Sequence, residues 1–151
     1  MDDLRDLYQA TILDHNKRPR NFGELDTANR VADGHNPLCG DQLRVQVRVG
    51  NDGEVEDIAF EGSGCAISTA SASLMTEFVK NHSREEVDGA FDAFHNLVTR
   101  GPEDEVDASS LDKLAVFSGV REYPMRVKCA TLAWHTLRAA LENSGETAVT
   151  E

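Results

Sequence analysis

The chain has 151 residues, of which 40% are hydrophobic and 28% are charged, and its formal net charge at pH 7 is −12. A chain of this length buries roughly 70% of its unfolded surface, so we expect one domain spanning residues 1–151. The negative charge disfavours a nucleic-acid partner, because phosphates repel it. No stretch approaches the roughly 20 apolar residues of a membrane helix. The acidic N-terminus lacks the apolar run of a secretory signal, which predicts a cytoplasmic protein with reduced thiols.

The first predicted element is an amphipathic helix over residues 2–15. Its apolar side chains recur at helical spacing, and Asp2 and Asp3 complement the positive end of its dipole. A dense basic cluster at residues 17–21 ends this helix. The cluster is interpreted either as a solvated loop or as a docking segment.

A β-hairpin follows. Residues 43–49 alternate between apolar and polar side chains, which is typical of a strand with one buried face. A Gly-Asn-Asp-Gly turn at residues 50–53 leads into a second strand over residues 55–60, and the two strands are expected to pair antiparallel. A weaker pattern at residues 30–33 indicates a preceding strand.

The rest of the chain is predicted to be mostly helical. One apolar stripe runs over residues 67–78, and Ser83 and Glu86 have the spacing of a capping box that opens another helix. An acidic loop at residues 101–107, a short helix at 111–120 and a final helix at 130–141 follow, and residues 142–151 are expected to fray. Strands precede helices, so the predicted fold class is α+β, with a small three-stranded antiparallel sheet and helices packed on one face.

Three cysteines lie in settings that suit metal or sulfur chemistry. Cys39 follows Pro37 and Leu38 on a loop, Asp41 comes two residues later, and Cys65 follows a Gly-Ser-Gly turn. Together with Cys129 they could supply three thiolates and one carboxylate to a four-coordinate metal such as zinc. Any one of these cysteines taken alone is more often a small buried apolar residue, and the chain contains no Cys-x-x-Cys pair that would favour a metal site.

The surroundings of Cys65 and Cys129 predict reactive thiols. Cys65 is expected to open a helix, whose N-terminus favours a thiolate. Cys129 is expected near the start of the last helix beside Arg126 and Lys128, and both features predict a lowered pKa. Of the five histidines, His35 is the best additional ligand candidate, but no local signature supports a Cys–His nucleophile pair.

Three segments carry a family resemblance. They are Gly-His-Asn-Pro-Leu-Cys-Gly-Asp at 34–41, Gly-Ser-Gly-Cys-Ala-Ile-Ser-Thr-Ala-Ser at 62–71 and Arg-Val-Lys-Cys-Ala-Thr-Leu-Ala-Trp at 126–134. Together with the N-terminal segment, these motifs resemble the SufU family, the zinc-containing branch of the IscU/NifU-like iron–sulfur assembly proteins. The resemblance covers residues 4–141 and implies an IscU/NifU-N-like fold.

The resemblance also implies a function for each site residue. Zinc would be held by Cys39, Asp41, Cys65 and Cys129. Cys39 matches the family's sulfur acceptor, and Arg126 matches a residue that assists sulfur transfer. The implied partners are a pyridoxal-phosphate cysteine desulfurase of the SufS type and downstream iron–sulfur assembly proteins. In the family, a desulfurase histidine displaces the acceptor cysteine from zinc.

Two features separate this chain from the scaffold branch. IscU-type scaffolds place a histidine before the third cysteine, where this chain has Lys128, and the segment between the second and third cysteines is longer here, with the surplus around residues 95–110. Both favour a zinc-dependent sulfurtransferase. The alternatives are a scaffold that assembles a transient iron–sulfur cluster on the same ligands, and a zinc-stabilised interaction module without catalysis.

Overall fold

The computed structural model describes residues 3–100, 111–143 and 147–150, which form an α+β fold built on one sheet. The elements in chain order are α1 (Asp3–Lys17), β1 (Arg30–Asn36), β2 (Asp41–Val49), β3 (Val55–Ser63), α2 (Ala66–Val79), α3 (Arg84–Thr99), a 3₁₀ helix (Asp112–Glu122), α4 (Pro124–Glu142) and β4 (Ala148–Val149). The predicted fold class is therefore confirmed, and the acidic loop predicted at 101–107 lies outside the described residues.

The sheet has the order β3-β2-β1-β4, and its first three strands are antiparallel neighbours. The predicted hairpin is β2 and β3. Leu43, Val45 and Val47 point into the core, while Arg44 and Arg48 face outward and pair with carboxylates of the neighbouring strands. This alternation sets the register, because a one-residue slip would turn the apolar set toward solvent.

A fourth strand was not predicted. β4 pairs in parallel with Gly34 and His35 of β1, and the Thr150 N–H donates to the His35 carbonyl oxygen at 3.1 Å. The Thr150 hydroxyl donates to the Lys128 carbonyl oxygen of α4 at 3.2 Å. The prediction that residues 142–151 fray is therefore wrong for 147–150. A two-residue strand has no detectable period, and its backbone is held by the free edge of β1.

The helices cover one face of the sheet. α4 packs across β1 and β2, and α2 lies between α1 and α4. Large apolar side chains from the sheet and the helices fill the space between them; they include Phe60, Phe94, Phe117 and Trp134. The predicted capping box is confirmed at the start of α3, where the Ser83 hydroxyl and the Glu86 carboxylate each bind the other's backbone N–H.

α4 begins earlier than the sequence pattern indicates. It starts at Pro124, a residue whose fixed φ and missing N–H suit the first helical position. Cys129 consequently lies in the second turn of α4 and not at its N-terminus. In the portions of the chain that the structure describes, no helix has the length and apolar character needed to cross a membrane.

Candidate metal centre

A tight turn between β1 and β2 presents Cys39. The N–H groups of Cys39 and Gly40 donate to the Asn36 carbonyl oxygen at 3.3 and 2.8 Å, and the Leu38 N–H donates to the Asn36 side chain at 3.2 Å. Gly40 takes a positive φ of 73°, which costs glycine little. The turn leaves Cys39 exposed, whereas Asp41, two residues later, is 0% exposed.

The buried Asp41 carboxylate connects β2 to the start of α2. Its Oδ1 accepts the Cys65 N–H at 2.9 Å, and its Oδ2 lies 3.9 Å from the Cys65 sulfur. Gly64 makes this approach possible, because a Cβ atom there would lie only 2.9 Å from Asp41 Oδ1. One carboxylate oxygen is thus held by the backbone, and the other faces a thiol.

Cys65 is the N-cap of α2, as the sequence predicts. Its sulfur accepts the Ser68 N–H at 3.4 Å, which satisfies one of the free donors of the first turn. A helix N-terminus carries partial positive charge and stabilises a negative sulfur. Cys65 is half-buried, between the exposed Cys39 and the buried Cys129.

Cys129 is buried beneath the turn that carries Cys39. It is 3% exposed, its sulfur lies 3.3 Å from the Cys39 sulfur, and the Asn36 amide donates to it at 3.5 Å. Burial raises the pKa of the Cys129 thiol, and its hydrogen bonds with Cys39, Asp41 and Cys65 add to the increase. The expectation that Arg126 and Lys128 lower this pKa is wrong for the free thiol, because desolvation of the buried sulfur outweighs cations on the helix surface.

The four residues named from the sequence therefore meet at one end of the sheet. Donor atoms of Cys39, Asp41 and Cys129 all lie within 4.8 Å of one another, and Cys65 adjoins this group through Asp41. Thiolates with one carboxylate suit zinc or iron better than hard cations such as magnesium.

Neither His35, the candidate named from the sequence, nor another histidine joins this group among the described residues. His135 packs instead against Phe91 and His95 of α3, with ring centroids 5.2 and 6.3 Å away. Burial lowers the pKa of His135, with smaller contributions from His95 and Arg138. His135 therefore belongs to the α3–α4 packing.

An open groove of about 620 Å³ leads to the thiols. Its walls come from α1, the start of α2, the 3₁₀ helix and the start of α4, and Arg126 lines it together with all three cysteines. The Arg126 guanidinium stacks over the Tyr123 ring at 4.6 Å from the ring centroid. Leu13, Tyr123 and Met125 line the groove and are exposed, so its rim is apolar.

Two residues of the site, Asn36 and Tyr123, have no role predicted from the sequence. Asn36, buried at 0% exposure, holds both the Cys39 turn and the Cys129 sulfur, and Tyr123 supports Arg126. Both lie in or beside segments that carry the cysteines, but only the folded chain shows what their side chains contact.

Comparison with known proteins identifies the family. The model of the NifU-like N terminal domain matches residues 7–130. The chain belongs to this family. It is 42% identical over 141 residues to the iron–sulfur cluster assembly scaffold protein IscU of Streptococcus pyogenes serotype M1, covering 93% of this chain and 86% of that one.

Two further proteins are similar to this chain, one by its sequence and one by its sequence and structure. The zinc-dependent sulfurtransferase SufU of Bacillus subtilis (strain 168) is 41% identical over 134 residues, which is 89% of this chain and 88% of that one. The crystal structure of FiSufU from Fervidobacterium islandicum AW-1, named as an iron–sulfur cluster assembly scaffold protein for the SUF system, superimposes with a TM-score of 0.80 at 33% identity, covering 91% of this chain and 98% of that chain. The proteins similar to this chain therefore include two named as scaffolds and one named as a sulfurtransferase.

Proposed function

We propose that this protein is a cytoplasmic zinc-dependent sulfurtransferase for iron–sulfur cluster assembly. It accepts persulfide sulfur from a pyridoxal-phosphate cysteine desulfurase of the SufS type and passes the sulfur to downstream assembly proteins. The observation that carries the proposal is the unequal exposure of the clustered thiols: Cys39 is exposed on a loop, whereas Cys129 is buried. The Bacillus subtilis relative named as a zinc-dependent sulfurtransferase supports it.

The donor set fits zinc, which Cys39, Asp41, Cys65 and Cys129 would hold. A formal charge of about −2 results from one divalent cation, three thiolates and one carboxylate, and nearby cations would offset part of it. When bound, zinc keeps its thiol ligands deprotonated near neutral pH. A carboxylate beside three sulfurs is the least well-matched ligand, which favours ligand exchange over a purely structural site.

Sulfur transfer would take place at Cys39. Its thiolate attacks the outer sulfur of the desulfurase persulfide, and a new S–S bond forms as the old one breaks. The desulfurase cysteine leaves as a thiolate, so the exchange needs no external oxidant or reductant. The groove gives a partner segment access to Cys39, and Arg126 on its wall would stabilise the thiolate by charge-assisted hydrogen bonding.

The test is mass spectrometry of the intact, zinc-loaded protein after incubation with a cysteine desulfurase and cysteine. We expect a mass gain of one sulfur, mapped by peptide analysis to Cys39, and no gain in Cys39→Ser. Sulfur mapped to Cys65 or Cys129 would contradict the assignment.

The second candidate function is a scaffold that assembles an iron–sulfur cluster. The Streptococcus pyogenes relative, named as a scaffold, favours it, and the same donor group could bind iron. Lys128 before Cys129 argues against it, because IscU-type scaffolds have at this position a histidine, which could ligate iron. Metal and sulfide analysis of protein purified without oxygen distinguishes the two: zinc with no colour supports the sulfurtransferase, and iron with acid-labile sulfide supports the scaffold.

A further inference from the structure

Ser68 is buried beside the metal centre with its hydroxyl unpaired. The residue is 0% exposed, and its Oγ has no hydrogen-bond partner. In the part of the chain that the structure describes, Trp134 Nε1 is the one other buried side-chain nitrogen or oxygen in this state. Burying a hydroxyl without a hydrogen-bond partner lowers stability. A buried, unpaired serine hydroxyl is therefore unusual and needs an explanation.

The position of this hydroxyl connects it to Asp41. A Cβ atom placed on Gly64 would lie 3.2 Å from Ser68 Oγ and 2.9 Å from Asp41 Oδ1. The hydroxyl and the carboxylate therefore border the same space, which the missing side chain of Gly64 leaves open. The backbone N–H of Ser68 already donates to the Cys65 sulfur, so the residue contacts the site from its main chain as well.

The other buried serines of α2 have partners. Ser71 donates to the Ala130 carbonyl oxygen at 2.5 Å, and Ser73 Oγ accepts the Arg20 N–H at 2.8 Å and bonds the His15 ring at 2.7 Å. The unpaired hydroxyl is thus specific to the end of the helix at which the thiols and Asp41 meet. A helix-wide preference for serine does not explain it.

We propose that Ser68 is a positioning residue of the metal centre, whose hydroxyl donates to the Asp41 carboxylate when that carboxylate coordinates a metal. Asp41 Oδ1 accepts one backbone N–H and has a second lone pair to accept the Ser68 hydroxyl, which leaves Oδ2 for the metal. Two donors on one oxygen fix the orientation of the carboxylate. The inference rests on the metal-binding part of the proposed function.

Ser68→Ala tests the inference by separating stability from metal binding. Without metal, we expect the variant to melt a few degrees higher than wild type, because an unpaired buried hydroxyl is removed. Its zinc affinity should fall by about tenfold, which is the usual effect of losing a residue that orients a metal ligand. Differential scanning fluorimetry of stripped protein and competition with a chromophoric chelator give the two values. A merely structural serine would not move them in opposite directions.

Ser73→Ala is the matched control, since it makes the same change in the same helix at an equally buried site. Its hydroxyl has partners, so the control should melt lower than wild type and keep its zinc affinity. The absorption spectrum of the cobalt(II)-substituted protein should change in Ser68→Ala and not in Ser73→Ala.

A double variant shows whether Ser68 acts through Asp41. If it does, Ser68→Ala should cause little further loss of zinc affinity in the Asp41→Ala background. A full further tenfold loss, or wild-type affinity in Ser68→Ala alone, would overturn the inference while leaving zinc binding by the wild type intact. Failure of the wild type to bind zinc would overturn the proposed function as well.

Discussion

Two regions that contain buried polar side chains, the α1–α2 junction and the candidate metal centre, differ in how completely those groups are paired. At the junction of α1 and α2, the His15 ring bonds Ser73 Oγ at 2.7 Å, and the same oxygen accepts the Arg20 N–H. The Arg20 guanidinium in turn pairs with Asp14 at 2.7 Å. These groups satisfy one another and attach α1 to the body of the fold.

At the candidate metal centre, by contrast, the buried polar groups are incompletely paired. Two sulfurs lie 3.3 Å apart, the buried Cys129 thiol has a raised pKa, and the Ser68 hydroxyl is unpaired. Features of this kind lower the stability of a fold, and proteins keep them mainly at functional sites. The polar cluster at the α1–α2 junction is therefore paired throughout, whereas the cluster around the thiols keeps an unpaired hydroxyl at Ser68.

The largest expected effect is at Cys39. Cys39→Ser should reduce sulfur loading to background, while the melting temperature of the zinc-free variant stays close to that of zinc-free wild type, because this side chain is exposed. Cys129→Ser should instead weaken zinc binding by more than about 100-fold, beyond the usual effect of losing a supporting residue. Persulfide mass spectrometry and chelator competition on both variants measure the difference. Equal effects on both properties would remove the distinction between the two thiols.

Zinc removal should destabilise the protein, because ligands from distant parts of the chain are joined by the metal. A ligand at a thousandfold excess over its dissociation constant contributes about 4 kcal/mol, which corresponds to roughly 10 °C in a protein of this size. Hydrogen exchange should increase more around Cys39 and Cys65 than around Ser73. Identical melting curves for the zinc-loaded protein and for protein verified to be zinc-free would contradict this prediction.

Asp41→Ala should keep zinc but bind it more weakly. Three thiolates remain in the variant, and the loss of one oxygen ligand should reduce affinity by roughly 10- to 100-fold, the range seen when a site loses carboxylate support. Chelator competition measures the change. Wild-type affinity in the variant would show that Asp41 is not a ligand.

The α1–α2 junction should make stability depend on pH. Burial lowers the pKa of His15, with Arg20 adding to the effect and Glu77 and Asp14 opposing it. Below the unfolded value of about 6.5, the unfolded chain therefore binds a proton that the folded chain does not. Stability should fall with decreasing pH, by at most about 1.4 kcal/mol per pH unit, until the folded pKa is passed.

Urea unfolding of zinc-stripped protein between pH 5 and 7.5 measures this dependence. His15→Gln should flatten the slope relative to wild type. Since His135 contributes a slope of the same sign, His135→Gln serves as the comparison variant. An unchanged slope in His15→Gln would show that the junction does not titrate in this range.

The smallest expected effect is at Arg126. Its side chain is exposed on the groove wall and stacks on Tyr123, so Arg126→Ala should leave zinc content and melting temperature unchanged. Sulfur transfer should slow by a few-fold to roughly tenfold, the value of one charge-assisted hydrogen bond. Arg126→Lys keeps the charge without the planar fork and should recover part of the rate. Wild-type rates in Arg126→Ala would remove this residue from the mechanism.

The elements with strong local signals were predictable from the sequence. The alternation in residues 43–49 determines the strand and its buried face, and the Ser83–Glu86 pair determines the start of α3, because these signals act between near neighbours. The motifs around Cys39, Cys65 and Cys129 likewise indicated the family and the site.

Features that depend on contacts between distant parts of the chain could not be predicted from the sequence. β4 exists because β1 offers it a free edge, and the Cys129 thiol has a raised pKa because the Cys39 turn covers it. The sequence alone does not distinguish the serines of α2. In the fold, the Ser73 hydroxyl is hydrogen-bonded to His15 of α1, whereas the Ser68 hydroxyl has no partner. Burial and pairing are properties of the whole packed chain, so no local pattern carries them.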